Sequence, residues 1–288
     1  MSFAYDLGIS HFDVARSYGF GRAEGILGKF LRGKRLNITV TTKFGVVPPT
    51  LSRMSRALVP LARSLGRLSP KISQALRRKS GELLIERRFD SAYLSNCLHA
   101  SLTELNTDYI DIYLLHEPLP LVKSNAEDII AMLLKFIAQG KICRWGLAYR
   151  NPRDHLWGSC LEPEIVQADG NIDTLSDAKH LGGPSSQTII TRPFFGGIQK
   201  WDDRRNGQDD LATKLMAVEF RKSDIPAVSL ALARRLSGSN GSVVCSMFTP
   251  AHIIENVGLI SSIDRDSRIR RIVEMFVAMD RGTGIALG

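Results

Sequence analysis

Cysteine is scarce in this chain, long apolar runs are missing, and acidic residues are outnumbered by basic ones. The four cysteines, Cys97, Cys143, Cys160 and Cys245, form no CxxC pair and no metal-ligand spacing, which argues against a disulfide scaffold or a thiolate metal site. Cys143 and Cys245 lie in apolar, strand-like runs and are expected to be small buried hydrophobes. This usage fits a reducing cytoplasm. No apolar stretch approaches the roughly 18 residues a membrane span requires. The N-terminus has neither the basic segment nor the apolar core of an export signal, so none is expected. No Gly/Ser/Pro-rich linker divides the 288 residues, and 44% of them are hydrophobic. A single domain over residues 1–288 with one well-buried core is the expectation.

The deficit of negative charge leaves a net +9, and that excess is local. Arg53, Arg56, Arg63, Arg67, Lys71, Arg77, Arg78, Lys79, Arg87 and Arg88 all fall in one stretch at about 47–89. Leu58, Leu61, Leu65 and Leu68 recur within it at helical spacing, so a basic helical insertion is expected there, packed over one end of the domain. A solvated basic face is the plain reading, and attraction of an anionic cofactor or substrate is the functional one. Nucleic-acid binding is not expected, because neither aromatic interleaving nor a recognised motif accompanies the charge.

What the sequence does contain is a series of short β-branched runs, each closed by a polar residue. Ile38 to Thr42 is followed by Lys43, Tyr109 to Leu115 by His116, and Ile9 to Phe12 by Asp13, with Tyr18 in the loop beyond. Further strands are expected at Ile142 to Leu147, Ile165 to Ala168, Thr188 to Thr191 and Ser242 to Ser246. Helices are expected at about Ser91 to Glu104, Ala126 to Gln139, Pro226 to Ala233, from Pro250, and Ile269 to Met279. The stretch Trp201 to Asp210 reads as loop. Polar groups gathered where parallel strands end are the layout of an α/β barrel, whose chemistry collects on that face. Taken singly, Asp13 reads as a cap, Tyr18 as a half-buried aromatic, Lys43 as a solvated strand end and His116 as a satisfied core polar group.

The segment Gly8-Ile9-Ser10-His11-Phe12-Asp13-Val14-Ala15-Arg16-Ser17-Tyr18-Gly19, followed by Ala23-Glu24-Gly25-Ile26-Leu27-Gly28, resembles the opening signature of the aldo-keto reductases. The likeness continues through Thr42-Lys43, Leu114-Leu115-His116 and Thr249-Pro250-Ala251-His252-Ile253-Ile254-Glu255-Asn256. It implies a (β/α)8 TIM barrel of aldo-keto reductase type, here incomplete at its N-terminus with seven of the eight strands. It implies an oxidoreductase that reduces aldehydes or ketones with NADPH (NADP), with NAD not excluded and a small-molecule carbonyl substrate as partner. Tyr18 would be the general acid, Lys43 would tune it, Asp13 would pair with Lys43, and His116 would orient the carbonyl. Carbonyl reduction needs a proton donor at the oxygen while charge builds there, and a phenol with a pKa near 10 needs a neighbouring cation for that task.

The same resemblance assigns cofactor binding to Gln167 and Asn171 for the nicotinamide carboxamide, and to Ser246, His252, Glu255 and Asn256 for the adenosine and its phosphate. The helix start after Thr249 would add backbone donors. Ala148 and Tyr149 stand where the family has Ser and often Asn, and either Arg192 or Phe194 is expected to compensate for a stacking aromatic replaced near Thr191. Met1 opens within what reads as the end of the family's first helix, so the first strand is expected to be missing. The alternative is a truncated or diverged non-catalytic relative that acts as a nucleotide-binding or interaction protein.

Overall fold

In the computed structural model, residues 1–48, 86–118, 126–157, 161–171, 174, 181, 186–195 and 218–280 are described. The core of the expected basic insertion, residues 49–85, lies outside them, as do Cys160 and the loop at 201–210. At the base of that segment the chain is pinned by an isolated antiparallel bridge between Val46 and Arg87. The Val47 N–H donates to the Glu86 carbonyl and the Arg88 N–H to the Gly45 carbonyl.

Seven strands are present among the described residues, all parallel and in sequence order: β1 His11–Asp13, β2 Thr39–Phe44, β3 Ile110–His116, β4 Ile142–Ala148, β5 Ile165–Asp169, β6 Gln187–Thr191 and β7 Ser242–Val244. They curl into a nearly closed barrel in which β1 and β7 are each paired on one side only. Helices α1 Ser2–Asp6, α2 Ala23–Leu31, α3 Ser91–Leu105, α4 Ala126–Ala138, α5 Ile225–Ser237, α6 Pro250–Ile263 and α7 Ser267–Asp280 cover the outside. Contact between α1 and α6 brings the two edges of the sheet to the same side of the molecule.

Local chemistry explains where these elements stop. Asp90 caps α3 by accepting the Tyr93 N–H at 2.8 Å, and Asn106 closes it in the left-handed region at φ 52°. Gly140, at φ 68°, lets the chain leave α4 toward β4. Within β2 the period-2 alternation sends Thr41 and Lys43 inward and Val40, Thr42 and Phe44 toward the helices. The outer layer packs Val40, Phe44, Tyr113, Leu115 and Trp145 against Leu27, Leu94, Leu98 and Leu133. The barrel interior is filled by Ile112, Leu114, Ala148, Ile165 and Ile189. A further apolar layer joins α5, α6 and α7 through Val228, Leu232, Ile263, Ile272 and Phe276.

Two expectations need correction. Asp13, Lys43 and His116 do not follow their strands but lie within them, Asp13 and His116 at the last position and Lys43 one before it, because pairing continues through Asp13↔Thr41, Phe44↔Leu115 and His116↔Ala148. Cys143 is exposed rather than buried, since it lies near the start of β4, whereas Trp145 and Leu147 further along the same outward face are covered.

Gly28 marks a close approach of α2 to α3. A Cβ there would sit 2.3 Å from the Glu104 carbonyl oxygen of α3, so α2 can lie this close only without a side chain. In an exposed helix interior Gly→Ala gains about 1 kcal/mol, but here Gly28→Ala is expected to lose about 1–3 kcal/mol through overpacking. Urea unfolding of the two chains checks the sign.

Candidate active site

The interior ends of the strands bring three of the four expected catalytic residues into one cluster and place the fourth at its rim. The Lys43 Nζ, 2% exposed, donates to Asp13 Oδ1 at 2.5 Å and to the Val14 carbonyl at 3.1 Å. The second carboxylate oxygen of Asp13 accepts from Gln167 Nε2 at 2.7 Å, across the barrel from β5. Tyr18 opens a single 3-10 turn, Tyr18–Phe20, directly after the loop from β1. Its ring lies 5.4 Å from the Lys43 ammonium and meets the His116 ring edge-on at 5.8 Å between centroids. The ring is 40% exposed, and its hydroxyl has no hydrogen-bond partner among the described residues. Among the described residues no hydrogen bond joins the ammonium to the phenol.

His116 is the most strongly perturbed group of the cluster. Burial, then the charges of Lys43, Arg87, Arg150 and Arg192, push its imidazole pKa from 6.5 down to about 3. It is accordingly neutral near pH 7, able to donate or accept one hydrogen bond at a substrate oxygen. Because the folded pKa lies below the unfolded one, the stability this group contributes is full above pH 6.5 and is lost as the pH falls toward 3. The slope is at most about 1.4 kcal/mol per pH unit. His11, also lowered by burial, adds in the same sense. His116→Asn is expected to lose less stability than the unmodified chain on acidification from about pH 7 to about pH 4. Thermal melts at the two values check this, and equal losses would place His116 in solvent.

Around the cluster runs a ring of ion pairs that sequence reading missed. Glu117, at φ 52°, pairs with Arg87 and lies 3.5 Å from Arg150. Asp169 accepts from Thr191 Oγ1 at 2.8 Å and from Arg192 at 3.1 Å, and burial raises its pKa. The alternation Gln167, Asp169 was the one available signal for the latter, since residues two apart share a strand face. Arg192, itself at φ 52°, is thus held by a carboxylate beside the cluster. On the outer face of β2, Thr42 Oγ1 donates at 2.6 Å to the buried Glu24 of α2, whose pKa is raised by burial.

The expected cofactor residues divide into two groups. Gln167 and Asn171 are buried at the C-terminal end of β5. Ser246, His252 and Glu255 are exposed and Asn256 is buried, all in or just before α6. Thr249 caps that helix, its Oγ1 accepting the His252 N–H at 3.3 Å.

The aldo/keto reductase family model matches residues 1–156, more than half of the chain and the part that carries Asp13, Tyr18, Lys43 and His116. The chain belongs to the aldo/keto reductase family. It is 29% identical to methylglyoxal reductase YeaE of Escherichia coli over 154 residues, 53% of this chain and 39% of that protein. It is 30% identical to 6-dehydroglucose reductase of Agrobacterium fabrum over 152 residues, 51% of this chain and 41% of that protein. The chain thus spans about two fifths of the length of these two relatives. Among solved structures, the holo form of aldo-keto reductase AKR11C1 from Bacillus halodurans superposes with TM-score 0.62 at 18% identity, covering 94% of this chain and 85% of that one. An aldo-keto reductase from Klebsiella pneumoniae in complex with NADPH superposes with TM-score 0.55 at 17% identity, covering 92% and 82%. These likenesses show the aldo-keto reductase barrel. Among the described residues, no helix is long and apolar enough to cross a membrane.

Proposed function

We propose that the chain is an oxidoreductase that reduces aldehydes or ketones to alcohols with hydride from NADPH, Tyr18 serving as general acid. The observation that carries this reading is the half-exposed Tyr18 ring between a buried, carboxylate-paired ammonium and a neutral imidazole. When bound, NADPH supplies the hydride that forms the new C–H bond at the carbonyl carbon. Tyr18 gives its hydroxyl proton to the carbonyl oxygen, and the phenolate regains a proton from water. Lys43, 5.4 Å from the ring centroid, stabilises the negative charge that the departing proton leaves behind. Asp13 holds the Lys43 side chain in place, and His116 offers a neutral N–H to the same carbonyl oxygen.

The residues present fit such a cofactor. Gln167 Oε1 accepts no hydrogen bond from the described residues, so it is free for a carboxamide, with Asn171 alongside. Pro250 has no N–H and Thr249 takes those of His252 and Ile253, which leaves the Ala251 N–H as the uncommitted donor of the first turn of α6. Exposed Ser246, His252 and Glu255, with Asn256, would hold the adenosine end, and Arg192 would flank the nicotinamide. The described cysteines are all free thiols, which suits a reducing cytoplasm.

The absence of a hydrogen bond between the Tyr18 hydroxyl and the described residues favours one other reading, a non-catalytic relative that binds nucleotide. Titration with NADPH, followed by its fluorescence, and NADPH oxidation with a generic aldehyde separate the two. Saturable binding with turnover is expected. Binding without turnover selects the second reading, and no binding overturns both.

A further inference from the structure

Gln167 holds more than the resemblance to the family assigns it. Asp13 ends an edge strand of three residues, held in the sheet by β2 alone, yet its carboxylate is bound at both oxygens: Lys43 on Oδ1 and Gln167 on Oδ2. Gln167 stands in β5, paired to both Ala148 of β4 and Ile189 of β6, and it is 4% exposed. It therefore supplies from a rigid, doubly paired strand the constraint that β1 lacks. The orientation of its amide is set chemically, because only the NH2 end can face an ionised carboxylate, and an oxygen there would repel it.

We propose that Gln167 is a positioning residue for Asp13, and through it for Lys43, in the reduction proposed above, on which this inference rests. Its Nε2 fixes the plane of the carboxylate, so Oδ1 presents a single orientation to the Lys43 ammonium, and the ammonium keeps its place beside the Tyr18 ring. The charged and titratable groups around this contact are His11 of β1, Lys43 of β2, Asp111 and His116 of β3 and Arg144 of β4, with Asp169, paired to Arg192, two residues beyond Gln167 on the same face of β5.

Two variants test it. Gln167→Glu keeps length and acceptor but removes the donor and sets a second carboxyl against Asp13, so the two must share a proton and titrate above the ordinary carboxylate range. A group whose folded pKa is raised gives stability that is lost as pH rises, so the melting temperature of Gln167→Glu, relative to the unmodified chain, should climb by several degrees between about pH 8 and about pH 5.5. Adding Asp13→Asn should remove that climb. Parallel curves would overturn the proposal, and this readout needs no turnover, so it stands or falls apart from the reductase reading. Gln167→Met, which adds no charge, should weaken NADPH binding through the lost carboxamide contact and, in addition, lower kcat at saturating NADPH by about tenfold, the scale of a lost orienting hydrogen bond. Unchanged kcat at saturating NADPH with weakened binding would reduce Gln167 to a cofactor ligand and overturn the positioning role.

Discussion

Tyr18→Phe is expected to lower kcat by about 10³-fold, the scale of losing a general acid, while NADPH affinity stays within about threefold. Stability should change by less than about 0.5 kcal/mol, because the substitution removes only a hydroxyl with no hydrogen-bond partner among the described residues. The ring itself remains, edge-on to His116 and beside the Lys43 ammonium, so packing and the local field are retained. Stopped-flow oxidation of NADPH, with a fluorescence titration on the same sample, separates the two quantities. A variant that keeps more than a tenth of the unmodified turnover would remove Tyr18 as proton donor. His116 would then be the remaining donor, but its imidazole is held neutral by burial and surrounding cations, which makes it a far weaker acid than imidazolium.

Elements and catalytic candidates could be read from the chain because each depends on local pattern. β-branched alternation in Thr39–Phe44 marks both the strand and its inward face, and Lys43 lies on that face. Strand ends extend a residue or two beyond the apolar runs because a polar side chain does not stop parallel pairing while a neighbouring strand continues, as β4 does opposite His116. Contacts across the barrel had no local trace. Gln167 and Asp13 are 154 residues apart, and only closure of the sheet brings them within a hydrogen bond. The same holds for the carboxylate that captures Arg192, since the pairing Asp169↔Thr191 fixes it and spacing along the chain does not. Glu24 stands in the Ala23–Gly28 segment that carries the family likeness, but its burial against Thr42 depends on how closely α2 lies on the sheet.

Asp13→Ala is expected to cost about 3–5 kcal/mol, because it strands an ammonium in the barrel interior without its counter-ion. Lys43 would keep only the Val14 carbonyl, and its 2% exposure denies it water. Against a typical total of about 5–15 kcal/mol, a loss of that size leaves a marginal fold. Combining Asp13→Ala with Lys43→Met removes the charge as well as its partner, and the double variant should recover much of the loss. It should still lie about 1–3 kcal/mol below the unmodified chain, because the Gln167 amide N–H is then buried without an acceptor. Urea unfolding of the unmodified chain, both single variants and the double closes the cycle. A double variant less stable than Asp13→Ala alone would mean that Lys43 finds another counter-charge, and the proposed tuning of Tyr18 would have to be reassigned to it. Recovery would instead show that most of the loss in Asp13→Ala comes from the stranded ammonium, so that Asp13 and Lys43 act as one coupled pair.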